Sequence, residues 1–154
     1  MKISIIIPAK GQSQRVKNKN VSEINGKTLV RLCCEKILKC ENINKIYLDT
    51  NDEGIIKNVS DLDRINIIKR PTELANNSIT ANDLMVYGLH SISECDLLLQ
   101  TFVTSPLITY QTIDRCIKEF LDNKNGHDSF FTVTKVQEYF WDEDSNPINF
   151  NHQQ

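Results

Sequence analysis

The sequence lacks a long apolar run, an excess of one charge and a cysteine pair spaced for metal binding. Its unbroken apolar stretches, such as Ile5–Ile7 and Leu97–Leu99, are far shorter than the roughly 20 residues that span a bilayer. The apolar run before Pro8 is also too short for a signal peptide. Because 18 Lys+Arg nearly balance 20 Asp+Glu, a globally basic nucleic-acid-binding surface is not expected. We therefore predict a cytoplasmic protein that binds neither nucleic acid nor a membrane.

The five cysteines are too irregularly spaced to form a zinc site, which needs four ligands in paired spacing. The histidines are scattered at positions 90, 127 and 152 and supply no pair either. We identify no metal ligand on these grounds and expect the cysteines to be reduced and buried as small apolar residues. A chain of 154 residues buries enough surface for one domain without a disulfide or a metal.

Strand-like and helix-like segments alternate along most of the chain. Apolar runs predict strands over residues 2–8, 45–50, 65–69, 96–103 and 128–135. Helical spacing of apolar residues predicts helices from Thr28 to Cys40, after Asp52, from Ile79 to Ile92 and after Thr109. This order predicts an α/β fold, a three-layer αβα sandwich with a mostly parallel sheet. We assign residues 1–135 to the core and residues 136–154 to a tail.

Ligands of such sheets bind at the carboxyl ends of the strands, and the loop at 9–20 is the strongest candidate there. The loop, AKGQSQRVKNKN, carries Lys10, Arg15, Lys17 and Lys19, and Gly11 allows a tight turn. Its backbone N–H groups and cations could surround a phosphate, although a solvated basic loop is the alternative. The loop matches neither the Walker A motif nor G-x-G-x-x-G, so generic motifs do not decide between the two.

Three ordered sequence blocks resemble the acylneuraminate cytidylyltransferases, also called CMP-sialic acid synthetases. IIPAKGQSQRVKNKN, at 6–20, is similar to the family's I-I-P-A-R-G-G-S-K-R-x-x-x-K-N pattern. RPTELA, at 70–75, resembles its R-P-x-E-L-A block, and TSPL, at 104–107, resembles its third block. The resemblance implies a Rossmann-like fold of the nucleotide-diphospho-sugar transferase type.

The same resemblance implies that CTP activates an α-keto sugar acid, releasing pyrophosphate with the help of Mg²⁺. Lys10, Arg15 and Lys19 would take part in catalysis. The implied nucleotide-binding residues are Pro8, Ala9, Lys10, Gly11, Ser13, Gln14, Arg15, Lys19, Asn20, Arg70 and Thr80. Phe102, Thr104 and Ser105 would face the sugar acid. The substrate could be a sialic acid or another acid such as Kdo, pseudaminic or legionaminic acid.

The chain departs from the family pattern at several positions. Lys10 stands for an arginine, which keeps the charge but loses the bidentate fork, and Gln14 stands for a lysine. Family members continue into a segment that forms a homodimer and carries a late Asp-x-Asp for Mg²⁺. Asp142 and Asp144 have that spacing, but their position favours a solvated acidic turn. A truncated or degenerate relative that binds nucleotide without turnover is therefore the alternative function.

The chain ends in an aromatic and then polar segment, VQEYFWDEDSNPINFNHQQ. The adjacent Tyr139, Phe140 and Trp141 could stack on a base or a sugar, but a core position or a subunit contact is the more frequent role of such a cluster. Asn51 and Asp52, after the second predicted strand, are expected mainly to form a turn and cap a helix.

Overall fold

A four-stranded parallel sheet organises the first part of the chain. The structure is a computed structural model that describes residues 1–13, 16–76, 78–122 and 126–151. The chain divides into two units, Met1–Asp122 and Asn123–Gln154. The strands and helices are β1 (Ile3–Pro8), β2 (Glu23–Ile24), β3 (Lys27–Thr28), α1 (Leu29–Ile37), β4 (Lys45–Thr50), α2 (Glu53–Lys57), β5 (Ile65–Lys69), α3 (Ala81–Ser91), β6 (Leu97–Gln100) and α4 (Tyr110–Asp122).

The sheet has the strand order β5-β4-β1-β6, and all its strands run parallel. β1 lies between β4 and β6. Its apolar run is buried on both faces, as its sequence predicts. The chain builds the sheet outward from β1 to β5 and then crosses to the other side of β1 for β6. This reversal places a crevice at the carboxyl ends of the strands, where ligands of open α/β sheets bind.

Two apolar clusters cover the two faces of the sheet. The larger one joins Ile5 and Ile7 of β1 to buried residues of α1, α2 and α4, among them Cys33, Ile55 and Ile113. The smaller one joins alternate strand residues to α3; its members include Ile6, Tyr47, Ile68, Met85 and Leu98. The predicted three-layer α/β arrangement with a parallel sheet is confirmed.

Local capping explains where the helices begin. The hydroxyl of Thr28 accepts a hydrogen bond from Arg31 N at 3.4 Å, and Asp52 Oδ1 accepts one from Ile55 N at 3.0 Å. Such caps satisfy backbone donors that have no partner inside the helix. The predicted cap by Asp52 is therefore confirmed. Within the second sequence block, RPTELA, residues Thr72–Ala75 form a short 3-10 helix.

The cysteines are all free, as predicted. Cys33, Cys34 and Cys40 are buried, whereas Cys95 and Cys116 are half-buried. Burial raises the pKa of the Cys33 thiol to about 11 and that of the Cys34 thiol to about 12. These thiols therefore stay neutral in the core.

The predicted fifth strand over residues 128–135 is wrong. This segment forms no strand in the structure, and its apolar side chains are exposed, with Phe131 at 80% and Val133 at 77%. Alternating apolar residues make a strand only where a neighbouring strand takes up the backbone hydrogen bonds and a face is buried. In the described part of the second unit, neither condition is met over this segment.

The second unit contains a short turn beside an aromatic cluster. Asp142 Oδ1 accepts hydrogen bonds from the backbone N–H groups of Asp144 at 3.0 Å and Asn146 at 2.7 Å. Phe150 contacts the rings of Tyr139 and Trp141, with centroids 4.5 and 5.1 Å apart. Within the described ranges, no helix is long and apolar enough to cross a bilayer.

Candidate active site

A pocket of about 270 Å³ opens at the carboxyl ends of the parallel strands. Its walls come from the ends of β1, β5 and β6, from the loop after β5 and from the start of α3. The lining residues are Pro8, Lys10, Arg70, Leu74, Asn76, Ile79, Ala81, Leu84, Gln100 and Phe102. The pocket therefore lies in the crevice that the strand order creates, and it unites segments that are far apart in the sequence.

A buried ion pair fixes one end of this pocket. Arg70 Nε donates to Asp49 Oδ1 at 2.9 Å, and Arg70 Nη2 donates to Asp49 Oδ2 at 2.5 Å. The two side chains are 2% and 0% exposed, respectively. A bidentate pair of this kind holds the guanidinium in one orientation. Sequence reasoning proposed Arg70 for the nucleotide pocket but did not identify Asp49 as its partner.

The loop after β1 is tied to the end of β4. Ala9 N donates to the Asp49 carbonyl at 2.8 Å, and Gly11 N donates to Asn51 Oδ1 at 3.1 Å. A Cβ atom on Gly11 would overlap Asp52 Oδ2 and lie 2.7 Å from Asp52 Cβ. The loop can therefore lie this close to the β4–α2 turn because residue 11 has no side chain.

The far end of the same loop is anchored by Asn20, whose Nδ2 donates to the Lys10 carbonyl at 2.8 Å. Asn20 is buried and lies within a 3-10 turn, Lys19–Val21, that closes the loop. Asn20 thus braces the backbone on which Lys10 is carried. The predicted phosphate contacts of Ser13 and Lys19 stay predictions, and Gln14 and Arg15 lie outside the described residues.

The loop after β5 forms the opposite wall and leads into α3. Leu74, Asn76 and Ile79 line the pocket. Thr80, which the resemblance implies as a nucleotide-binding residue, caps α3: its hydroxyl accepts a hydrogen bond from Asp83 N at 3.2 Å. Hydrogen bonds from the Thr80 backbone N–H and hydroxyl lower the pKa of Asp83. Thr80 therefore fixes where the helix, and with it Ala81 and Leu84, meets the pocket.

The third block divides between the pocket and another part of the fold. Phe102 lines the pocket and is 46% exposed. Thr104 and Ser105 are not among its lining residues. The Ser105 carbonyl instead accepts a hydrogen bond from Lys36 Nζ of α1 at 3.0 Å. The sugar-acid contacts predicted for Thr104 and Ser105 thus have no support from the pocket lining.

Gln100 is a pocket residue that sequence reasoning missed. It ends β6, and the sequence signal was a polar residue closing the apolar run LLLQ. The resemblance indicated Phe102, two residues later, instead. Only the folded chain shows that Gln100 faces the same pocket as Arg70.

The described residues form no cluster that could hold a metal ion by three or more protein ligands. No group of three or more His, Cys, Asp or Glu side chains gathers within the described ranges. The Asp142 carboxylate is engaged by backbone N–H groups of its own turn, and the hydrogen bond from Asn146 is the main cause of its lowered pKa. The donors present therefore do not fit an Mg²⁺ ion held by protein ligands, and we derive no step through one.

Comparison with known proteins places this geometry in context. A family model described as Cytidylyltransferase matches residues 4–153. The chain is 29% identical over 120 residues to 3-deoxy-manno-octulosonate cytidylyltransferase 2 of Hydrogenovibrio crunogenus. This match covers 78% of this chain and 47% of that protein. It is 24% identical over 156 residues to N-acylneuraminate cytidylyltransferase A of Danio rerio, covering 97% of this chain and 36% of that protein.

A solved structure shows the same fold. The structure of CMP:2-keto-3-deoxy-manno-octonic acid synthetase complexed with CTP superimposes with a TM-score of 0.67 at 20% identity, covering 80% of this chain and 49% of that one. The chain thus spans less than half the length of each of these three proteins. At this identity the superposition supports the Rossmann-like α/β fold alone.

Proposed function

Because the chain belongs to the cytidylyltransferase family, whose model matches residues 4–153, we propose that it forms the CTP-binding part of an enzyme that activates a sugar acid. The reaction would join CMP to the anomeric hydroxyl of the acid and release pyrophosphate. The observation that carries this proposal is the pocket at the carboxyl ends of the strands, with Lys10 and the oriented Arg70 in its wall. The pocket has room for a nucleoside, and the loop at 9–20 begins at its edge.

The chain's own residues would act by positioning and by offsetting charge. Attack of a sugar hydroxyl on the α-phosphate requires the two reactants to be held in line, and the triphosphate carries most of the negative charge. Among the described cations on the loop, Lys10 and Lys19 would offset this charge. The anchors of that loop at Asn51 and Asn20 hold the cations near the strand ends before the nucleotide arrives.

The substrate we favour is a sialic-acid-like sugar acid, which agrees with the three sequence blocks. The comparisons also include 3-deoxy-manno-octulosonate and pseudaminic acid cytidylyltransferases, so these acids are the alternatives. A dimer and a requirement for Mg²⁺ are further proposals from the resemblance. A relative that binds CTP without turnover is the competing function.

Calorimetry and a pyrophosphate-release assay test the proposal in two stages. We expect the chain to bind CTP more tightly than ATP or GTP. With Mg²⁺ present, it should release pyrophosphate with one acid from a panel of sialic, 3-deoxy-manno-octulosonic, pseudaminic and legionaminic acids. CTP binding without release from any acid would support the non-catalytic alternative, whereas no CTP binding would contradict both.

A matched pair of lysine variants tests the role of the loop. Lys10→Ala removes a cation beside the pocket, and we expect CTP binding to weaken about 10- to 100-fold because a charge-assisted contact to phosphate is lost. Lys118→Ala on the exposed side of α4 is the control and should bind CTP as the unmodified chain does. If the two variants bind CTP with equal affinity, Lys10 does not contribute to CTP binding.

A further inference from the structure

Gln100 has a buried side-chain amide nitrogen that lacks a hydrogen-bond partner among the described residues. Within the described residues, its Nε2 atom is buried and has no hydrogen-bond partner. Buried polar groups in folded proteins are nearly always paired, and an exception at a pocket wall is a reason to look for a ligand. Since Gln100 also lines the pocket, the missing acceptor is best sought in the molecule that binds there.

The alternation of side chains along the strands places Gln100 and Arg70 on the same face of the sheet. Leu98 and Ile68 pack in the apolar cluster under α3. Gln100 and Arg70 lie two residues beyond them and therefore share that face of the sheet. β4 and β1 lie between their strands, and the Arg70 guanidinium turns towards Asp49 on β4. The register aligns Gln100 with Tyr47, two residues before Asp49. About two strand spacings across the sheet, roughly 10 Å, and two residues along it, roughly 7 Å, therefore separate the guanidinium from Gln100.

The wall between these two polar groups is mostly apolar. Pro8, Leu84 and Ile79 are among the residues that line it. A flat ring with apolar faces and hydrogen-bonding edges fits such a site, because its faces contact the apolar walls and its edges meet the polar ends. A polyhydroxylated sugar acid would require donors and acceptors all round. The chemistry of the wall therefore favours the nucleobase as the group that reaches Gln100.

We propose that Gln100 recognises the base, its carboxamide N–H₂ donating a hydrogen bond to the O2–N3 acceptor edge of cytosine. This inference rests on the proposed binding of CTP. It also predicts selectivity, since N3 of cytosine accepts a hydrogen bond whereas the N3–H of uracil donates one. A donor that faces this edge favours CTP over UTP.

Replacing Gln100 by leucine removes the donor with little change in volume. In calorimetric titrations of the 154-residue chain, Gln100→Leu should bind CTP about tenfold more weakly, the loss expected for one buried hydrogen bond. The preference for CTP over UTP should narrow at the same time. Gln111→Leu, on the exposed surface of α4, is the matched control and should change neither quantity.

The thermal stability of the nucleotide-free protein separates recognition from a structural role. Because the amide is unpaired without ligand, Gln100→Leu should unfold at the same or a higher temperature than the unmodified chain. A residue that merely supports the fold would lower it. A marked loss of stability together with unchanged CTP affinity per folded molecule would contradict the proposal.

A second variant keeps the test independent of how leucine packs. Gln100→Glu keeps the shape and replaces the donor by a carboxylate, which repels the acceptor edge, so CTP binding should weaken at least as much as in Gln100→Leu. If the unmodified chain binds CTP and both folded variants bind it within twofold, the proposal for Gln100 is wrong while the proposed function stands. If the unmodified chain does not bind CTP, both are wrong.

Discussion

The Asp49–Arg70 pair shows how much depends on single side chains near the strand ends. Asp49 is fully buried, accepts two hydrogen bonds from the guanidinium through its carboxylate, and accepts a further one from Arg70 Nη2 through its carbonyl at 3.2 Å. Arg70 in turn donates from its backbone N to the Thr50 carbonyl at 2.9 Å. The pair therefore joins β4 to the loop that follows β5 and orients a polar group of the pocket.

Removing the charge of Asp49 should destabilise the fold strongly. In Asp49→Asn the buried guanidinium loses its counter-ion, and we expect the free energy of unfolding to fall by about 3 kcal/mol. Urea denaturation followed by circular dichroism measures this change. Glu53→Gln is the control, because the Lys69–Glu53 pair is 75% and 79% exposed and should contribute less than about 1 kcal/mol. Similar losses in both variants would contradict the assignment of a buried pair.

At the scale of elements, the seating of α3 on the sheet depends on a glycine. Gly88 faces β1, and a Cβ atom there would overlap Ile6 Cδ1, while the next nearest atom, Ile6 Cγ1, is 3.9 Å away. The close approach packs the later part of α3 against β1. The same contact explains why a glycine stands inside a helix, where it is otherwise unfavourable.

A double-mutant cycle can measure this contact. Gly88→Ala should destabilise the protein by about 1–3 kcal/mol through overpacking, although alanine favours the helix. Ile6→Val, which removes Cδ1, should cost about 0.5–1.5 kcal/mol alone. In the double variant the overlapping Cδ1 atom is absent. Its loss of free energy of unfolding should therefore be about 1 kcal/mol smaller than the sum of the losses in the two single variants. Strict additivity in urea denaturation would show that α3 does not lie this close to β1.

Elements on the opposite face are joined by an ion-pair network. Arg31 of α1 donates to both carboxylate oxygens of Asp61 at 2.7 Å and to Glu35 Oε1 at 2.9 Å. The hydrogen bond from Arg31 lowers the pKa of Asp61 from 3.8 to about 2. Those from Lys27 and then Arg31 lower the pKa of Glu35. The network thus ties α1 to the turn after α2.

For the whole molecule, the lowered pKa values of these carboxylates and the raised pKa values of the buried thiols predict a pH range of constant stability. Stability should fall on the acid and on the alkaline side of that range. A carboxylate whose pKa is lower in the folded state stabilises it above the unfolded pKa, and this contribution disappears as the pH falls towards the folded pKa. For Asp61 the loss should occur between about pH 4 and pH 2. A thiol whose pKa is raised has the opposite sign, so its contribution disappears as the pH rises from about 9 to about 12 in the case of Cys34.

Urea midpoints measured from pH 3 to pH 10 check the profile. We expect a plateau between about pH 5 and pH 8, with falls on both sides. Asp61→Asn should reduce the decrease of the urea midpoint on the acid side. Cys34→Ala should reduce its decrease on the alkaline side. Both expectations hold whatever each substitution does to stability on the plateau. If a variant leaves the pH dependence of the urea midpoint unchanged on its side of the plateau, the substituted residue is not the cause of that decrease.

The sequence by itself determined the α/β class, the core strands and the identity of several pocket residues. Local apolar patterns sufficed for β4 and β5, whose bounds match the predictions. Ordered motifs sufficed for Pro8, Lys10, Arg70 and Phe102, which the fold brings to one pocket.

Only the tertiary structure decided the rest, since it depends on which strands are neighbours. Residues 128–135 have a strand-like pattern but no partner strand in the described part of the chain, so the pattern alone was misleading. The pairing of Asp49 with Arg70 and the unpaired amide of Gln100 arise from the order β5-β4-β1-β6. That order brings together strand ends which are distant along the chain, and no local spacing encodes it.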